Sequence, residues 1–531
     1  MPHPPQVPLL DAAAARAGDQ AAVEAGSTWA ALMERAAGHL ARGVVELAGY
    51  GYGLRVAILV GKGNNGGDGW ATARRLRAHG AEAWVVSAYA LDVELSEEAA
   101  DNRRRWIDGG GRTGAADAID EALRWCDVAV DALLGTGSSG APSGEARTAA
   151  DAILAARERT GLAVIACDVP SGVCSDDGSA PQGAVRADLT VTFGGMKRGL
   201  VLHPGARHAG RVVVGELGPR YHPPAGSWWA LTAVGACPPQ LDAAADKRAR
   251  GVVQLVAGSV GAAGAAILCT RGALAMGAGL TTLATPAHVQ RVIAPVIAPA
   301  MTRPLAHEGQ AVGPKAAEQL GLDAVDAVGA GPGLTPGEGT DAIVQALLRD
   351  APRLVLDADA LNVFRDRPSR LREHAGTLVL TPHQRELARI GGGDGGPDAW
   401  ANRVERVPEL AARYDATIVA KGPGTIVAAP DGRVWVTPTG SVALGSGGSG
   451  DVLTGMLTAA IATADDVPLA VARTVWLHGL AGQLAGALPA DRATSDDLVH
   501  AIPQALERVH VLAGTEPTWP LHPTVDVRGG P

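Results

Sequence analysis

From Arg55 to Glu216 short β-branched, apolar runs alternate with amphipathic stretches, and this alternation constrains the fold more than any other feature of the chain. Arg55–Val60, Ala83–Ser87, Asp127–Ala132, Leu162–Asp168 and Leu189–Phe193 read as strands, with Ala71–His79 as a helix between the first two. Strands joined through helices run parallel with right-handed crossovers. The expectation is therefore a three-layer, Rossmann-like sheet whose ligands bind at the carboxyl ends of its strands. Ala12 to Leu47 precedes it as helical material. A second series follows, with strands expected at Val252–Val256, Leu280–Leu283, Ala324–Val328, Leu354–Asp357, Thr377–Leu380 and Thr417–Ala420, and long helices from Gly450 to about Ala513.

Between the two series, Pro223, Pro224, Pro238 and Pro239 with Gly226 and Gly235 interrupt the pattern. With 531 residues the chain exceeds one ordinary core. It divides into a first domain at 1–218, a linker at 219–246, a second domain at 247–513 and an unstructured tail at 514–531. Trp228 and Trp229 in the linker suit packing between domains or between subunits, so a homo-oligomer is left open. The net charge of −9 argues against broad nucleic-acid binding, which needs many cations facing phosphates. Five scattered cysteines without a C-x-x-C pair fit neither a zinc site nor a disulfide scaffold, and point to a reducing cytoplasm. The proline-rich start has no basic segment leading into an apolar one, so secretion is not expected. The most apolar stretch, around Ala262 to Ala287, is broken by Arg271 and glycines and reads as buried structure, not as a membrane span.

The first strand runs into Gly61-Lys62-Gly63-Asn64-Asn65-Gly66-Gly67-Asp68-Gly69, a glycine-rich turn whose backbone N–H groups suit a phosphate. Gly61, Gly63 and Gly66 match G-x-G-x-x-G, which alone is a weak signal. The hydride-transfer version of that motif also wants an acidic residue ending the second strand, and here that strand ends Val86-Ser87-Ala88-Tyr89. A dehydrogenase is thus disfavoured. Asn64, Asn65 and Asp68 add oxygen donors suited to a cation, although an Asn/Gly turn alone would read as structural. Two more strand mouths carry carboxylates, Asp131 before Ala132-Leu133-Leu134-Gly135-Thr136-Gly137, and Asp168 before Val169-Pro170-Ser171-Gly172.

These three segments closely resemble the NAD(P)H-hydrate epimerase family, over about Leu9 to Leu217. The resemblance implies a potassium ion held by Asn65, Asp131 and Ser171. It also implies a hydrate site formed by Asn64, Asn65, Gly66, Gly67 and Asp68, by the loop Gly135, Thr136, Gly137, Ser138 to Gly140, and by Asp168. Asp168 is the candidate acid/base. Lys197, within Phe193-Gly194-Gly195-Met196-Lys197, is a candidate to steady charge near the nicotinamide, with a solvated surface lysine as the alternative. The chain departs from the family at Ser138-Ser139-Gly140, where relatives usually carry a bulky apolar residue.

In the second half, Ser441 to Gly455 reads S-V-A-L-G-S-G-G-S-G-D-V-L-T-G, a glycine-rich nest ahead of a helix expected to begin near Asp451. A carboxylate beside bound phosphates is repelled, so Asp451 makes sense as a base on an attacking hydroxyl; helix capping is the alternative. Ala330-Gly331-Pro332-Gly333-Leu334, Asp357-Ala358-Asp359-Ala360-Leu361-Asn362, Thr381-Pro382-His383 and Lys421-Gly422-Pro423-Gly424-Thr425 all follow expected strands. Together they resemble the ribokinase-like fold and its ADP/ATP-dependent NAD(P)H-hydrate dehydratase branch, from about Arg250 to Leu512. That resemblance implies adenine-nucleotide binding by Lys421, Gly422, Pro423, Gly424, Thr425 and Gly450. It places Ala265, Gly333, His383 and Asp451 around the hydrate, with Asp451 as base. It also implies Mg²⁺, for which Asp357 and Asp359 are candidates against a structural capping role, and ADP in preference to ATP as donor. Arg385 stands where the family has glycine. The two resemblances imply a bifunctional repair enzyme for hydrated NADH and NADPH. Its rivals are a ribokinase-like vitamin or sugar kinase, and a first domain that binds without catalysing.

Overall fold

The computed structural model describes residues 5–218, 221–222, 226–239, 244–391, 402–486 and 492–515. They fall into two compact units, one within residues 8–228 and the other formed by 229–515 together with 5–7.

Ahead of the first unit's sheet lies β1 (Gln6–Leu10). The unit then contributes β2 (Arg55–Val60), β3 (Glu82–Ser87), β4 (Arg112–Gly114), β5 (Val128–Ala132), β6 (Ala163–Cys167), β7 (Leu189–Phe193), β8 (Met196–Lys197) and β9 (Arg211–Gly215). Seven of these form one sheet in the order β4-β3-β2-β5-β6-β7-β9, every described pair parallel. The order reverses between β2 and β5, which opens a crevice beyond their carboxyl ends. β2 shows the period of two that fixes its faces. Val56, Ile58 and Val60 enter a core with Leu40 and Val44 of the helix Trp29–Ala48, while Ala57 and Leu59 enter another with Ile153 of the helix Gly144–Thr160. Each fully buried Val, Leu or Ile among them contributes about 1.5–3 kcal/mol. Thr28 starts the helix Trp29–Ala48 by accepting the Ala31 N–H at 3.1 Å, and Gly49 ends it in the left-handed conformation, φ 80°.

The helix expected over Ala71–His79 begins at Asn64 and runs to Ala78, so Gly66, Gly67 and Gly69 of the motif lie within it, while Gly61 and Gly63 precede it. Close packing is the reason. A Cβ on Gly67 would meet Met33 Cε at 2.7 Å, and one on Gly69 would meet Val60 Cγ1 at 2.7 Å.

Within 219–246 the described residues include β10 (Trp228–Leu231) and a helical turn at Ala233–Ala236. The second unit then holds β11 (Val252–Val256), β12 (Leu280–Pro286), β13 (Met301–Leu305), the two-stranded β14 (His307–Glu308) and β15 (Ala311–Val312), β16 (Ala327–Ala330), β17 (Arg353–Leu356), β18 (Thr377–Leu380), β19 (Ala416–Ala420), β20 (Ile426–Ala428) and β21 (Val434–Val436). Their order is β13-β12-β11-β16-β17-β18-β19-β20-β21, parallel up to β19 and antiparallel beyond it. The strand expected at Ala324–Val328 starts only at Ala327, because Ala324 sits at φ 61°, incompatible with extended backbone. Helices Ala263–Ala275 and Ser449–Ala462 lie almost backbone to backbone, since a Cβ on Gly455 would fall 1.8 Å from Cys269 O. The final helix spans Ser495–Thr515, so the expected tail loses its first two residues to the helix and otherwise lies outside the described residues. None of the described helices is long and apolar enough to cross a membrane, and all five cysteines are free.

Candidate active sites

In the first unit, the crevice between β2 and β5 holds a cavity of about 490 Å³. The motif helix meets the sheet so closely that a Cβ on Gly66 would lie 2.1 Å from Gly61 O. Gly66 and Gly67 thus serve approach and packing, whereas Asn64, Asn65, Asp68, Gly135, Thr136, Gly137, Ser138, Asp168 and Lys197 line the cavity. Ser138 closes its turn by donating to Gly135 O at 2.8 Å.

Asp168 adopts φ 63°, a left-handed conformation that Asp tolerates better than most residues, anchored by its N–H to Val191 O at 2.8 Å. Its Oδ1 accepts from Lys197 Nζ at 2.7 Å, Thr192 Oγ1 at 3.0 Å and Phe193 N at 3.3 Å, and its Oδ2 accepts from Thr136 Oγ1. Burial alone would push this carboxyl up; Lys197 and these hydrogen bonds instead hold it below the ordinary carboxylate range. Lys197 is only 2% exposed, so the surface reading of it fails. β1 fixes it from the other side, with Leu10 opposite Lys197 in the parallel pair β1–β8.

Asn65, Asp131 and Ser171 also converge. Ser171 donates its N–H to Asp131 Oδ2 at 2.8 Å and its hydroxyl to Oδ1 at 2.6 Å, and Asn65 Nδ2 donates to Leu134 O at 2.9 Å. Asn65 Oδ1 is left buried with no hydrogen-bond partner. Asp131 is fully buried, which pushes it up to about 6 against the hydrogen bonds from Ser171 and Leu133 N. An orphaned amide oxygen beside a buried carboxylate is a donor set that fits an alkali cation.

Asp19 and Tyr221 are among the lining residues that escaped the sequence reading. Asp19 comes from the helix Ala12–Glu24, and Tyr221 donates its hydroxyl to Ala15 O at 3.2 Å. Neither belongs to a recognisable motif. Burial pushes Asp19 up to about 6, with Lys197 pulling it down and Asp168 adding to the rise.

In the second unit, Lys421 and Asp357 stand beyond the ends of β19 and β17. Lys421 Nζ donates to Asp357 Oδ1 at 2.6 Å, and Thr454 Oγ1 donates to Asp357 Oδ2 at 2.8 Å. The helix Ser449–Ala462 starts at Gly448, whose φ of 91° lets the chain turn into it. Asp451 lies in the first turn and is not the cap; its carboxylate accepts no hydrogen bond among the described residues. Burial pushes it up to about 6, Asp357 and Asp359 add to that, and Lys421 opposes. Gly450 brings the helix against the pair, since a Cβ there would be 3.3 Å from Lys421 Nζ, while Gly445 and Gly447 face open space.

Lys421 N donates to Pro382 O at 3.0 Å, which brings His383 beside the lysine. His383 caps the helix Gln384–Ile390, accepting from Arg385 N at 3.1 Å and Glu386 N at 3.3 Å through Nδ1, while Glu386 Oε2 accepts from His383 N at 2.8 Å. Arg385 thus fits the turn through its backbone. Glu386 ends the same motif segment and carried no assigned role in the sequence reading; burial pushes it up to about 7. Ala265 and Gly333 are also brought together, a Cβ on Gly333 falling 3.2 Å from Ala265 Cβ. Gly422 to Thr425 form a tight turn closed by Thr425 Oγ1 donating to Gly422 O at 2.9 Å, with Pro423 O held by Arg403 Nη1 at 3.0 Å. Asp359 Oδ2 accepts from Thr335 N at 3.0 Å, the structural alternative. Asp357 is engaged by Lys421 and Thr454, and no cluster of three metal-ligating side chains occurs among the described residues.

Two family models match, one described as YjeF-related protein N-terminus over residues 29–199 and one as NAD(P)H-hydrate dehydratase over residues 253–504. The bifunctional NAD(P)H-hydrate repair enzyme Nnr of Hyperthermus butylicus is 35% identical over 527 residues, covering 94% of this chain and 94% of that protein. The chain belongs to the bifunctional NAD(P)H-hydrate repair enzyme family. The Moorella thermoacetica member is 34% identical over 474 residues, covering 86% of this chain and 88% of its own. Among solved structures, an ADP/ATP-dependent NAD(P)H-hydrate dehydratase from Bacillus subtilis, co-crystallised with ATP and Mg²⁺, is 30% identical with a TM-score of 0.45, covering 52% of this chain and 97% of that one. The repair-enzyme family pairs the two chemistries that the two clusters suggest.

Proposed function

We propose that residues 1–218 epimerise the R and S forms of hydrated NADH and NADPH, and that residues 247–513 dehydrate the S form at the expense of ADP or ATP, with 219–246 between them. One observation carries the reading: Asp451, unpaired and poised near neutrality, sits at a glycine-rich helix start beside the Lys421–Asp357 pair.

Hydration leaves a hydroxyl on the ring carbon beside nitrogen, and hydroxide leaves poorly at neutral pH. Asp451 takes the hydroxyl proton as that oxygen attacks the terminal phosphorus of the nucleotide, whose shortened remainder departs. The ring-nitrogen lone pair then expels phosphate, and loss of a proton from the neighbouring carbon restores the dihydropyridine. Lys421 and the open N–H groups around Gly445–Gly450 bind the phosphates, His383, Ala265 and Gly333 shape the hydrate pocket, and Gly422–Thr425 hold the nucleoside end. The nucleotide's own phosphates would hold Mg²⁺, which would supply neutralisation of their charge. In the first unit Asn65, Asp131 and Ser171 hold potassium, the Asn64–Asp68 helix start and the Gly135–Ser138 loop bind the hydrate, and Asp168, kept ionised by Lys197, serves as base. Because only one epimer suits the second site, the first has the task of supplying it. Free thiols are consistent with a cytoplasmic setting.

Phosphate and reduced cofactor should be released one for one from the S epimer, and Asp451→Asn should abolish both. A stable phosphoester product would favour a kinase instead.

A further inference from the structure

The first unit's cavity contains more carboxyl groups than its one buried lysine can match. Asp19, Asp68 and Asp168 reach it from the helix Ala12–Glu24, the helix Asn64–Ala78 and the end of β6. Lys197 is committed to Asp168 at 2.7 Å, and the other donors reaching that carboxylate, Thr136, Thr192 and Phe193 N, occupy both of its oxygens. The Asp19 and Asp68 carboxyls accept no hydrogen bond among the described residues, and Asp68 makes none to Asn65, Asp131 or Ser171. Epimerisation by expulsion and return of hydroxide needs an acid for the leaving oxygen and a base for the incoming water. In its resting state, ionised beside Lys197, Asp168 is suited to the second task.

We propose that Asp68 is the general acid of the epimerase site and that Asp19, outside the segment matched by the family model, is the positioning residue that keeps the proton on it. The inference rests on the epimerase reading above. The electrostatics agree: burial, then the negative charges of Asp168 and Asp19, push Asp68 well above the usual carboxyl range, and only Lys197 opposes. In the reaction, the ring-nitrogen lone pair forms a C=N bond, the C–O bond breaks, and the departing oxygen takes the Asp68 proton and leaves as water. A water then adds to the opposite face, its oxygen bonding to carbon as the C=N pair returns to nitrogen and its proton passes to Asp168. Exchange with cavity water moves that proton back to Asp68. The reverse epimerisation uses the same two groups with roles exchanged.

The test follows chromatographically resolved epimers of hydrated NADH with the full chain and K⁺, without nucleotide. Asp68→Asn keeps the size of the side chain but carries no transferable proton, so kcat should fall by about 10²–10⁴-fold while KM changes little. Asp19→Asn should move the alkaline limb of the kcat profile to lower pH, because a negative neighbour of Asp68 is gone. A merely structural Asp19 would not move that limb. Wild-type kcat in Asp68→Asn, or an unmoved limb in Asp19→Asn, overturns the proposal. If the wild-type chain fails to epimerise at all, it is the epimerase reading that falls.

Discussion

Replacing Lys197 by methionine keeps the bulk of the side chain and removes its charge, leaving Asp168 buried without a cation. The Lys197 side chain is 3% exposed and that of Asp168 14%, so solvent screens the pair little. Breaking a buried pair from one side costs about 3–5 kcal/mol. The bonds from Thr136, Thr192 and Phe193 N persist, so the lower end, about 3 kcal/mol, is expected. For a unit of this size that corresponds to a fall in Tm of about 6–12 °C. The sign with pH is fixed. In the wild type the folded Asp168 carboxyl lies below its unfolded value, so its contribution is present above the unfolded pKa of about 3.9 and is lost as pH falls through the lower folded value. In the variant burial raises it instead, so the deficit is largest at neutral pH and shrinks on acidification as the carboxyl protonates. Calorimetry of the full chain at about pH 7 and about pH 5 reads both effects. A loss under about 2 °C at neutral pH, or a deficit that is the same at both, would refute the reasoning.

Gly66→Ala drives a Cβ to 2.1 Å from Gly61 O, so it should cost about 1–3 kcal/mol and weaken the stabilisation of the first unit by potassium, read as a smaller rise in Tm on adding K⁺. Dehydratase activity should rise with pH through about 6 as Asp451 ionises, since a base must be deprotonated; an acid limb absent from the pH profile would argue against that role. Thr454→Val removes the buried hydroxyl that donates to Asp357 at 2.8 Å, and should cost about 1–3 kcal/mol of stability together with dehydratase activity, checked by urea unfolding and turnover.

Most of the strands were legible because β2, β5, β7 and β11 are short runs dominated by β-branched and apolar residues. Boundaries went astray where packing outweighed local preference. The Asn64–Ala78 helix tolerates glycines at 66, 67 and 69 because Gly61, Met33 and Val60 press on them, and no propensity argument reveals that. Ala324 breaks its expected strand through a backbone angle, not through its side chain. At the sites, residues inside motifs could be named in advance, and the convergence of Asn65, Asp131 and Ser171 illustrates how parallel strands deliver separate segments to one crevice. Asp19 and Tyr221 could not, because they arrive from a helix and a connection without a signature, and only the fold brings them to the chemistry. Burial, too, is a tertiary property; from sequence Lys197 looks like any surface lysine.

The most direct measurement of the central claim is recovery of reduced-nicotinamide absorbance from a mixture of both epimers of hydrated NADH, with the full chain, K⁺, Mg²⁺ and ADP or ATP. The account predicts complete recovery that requires a nucleotide, and in Asp168→Asn a fast phase limited to the S epimer. Fast recovery of both epimers by Asp168→Asn, or none by the wild-type chain with either nucleotide, would contradict it.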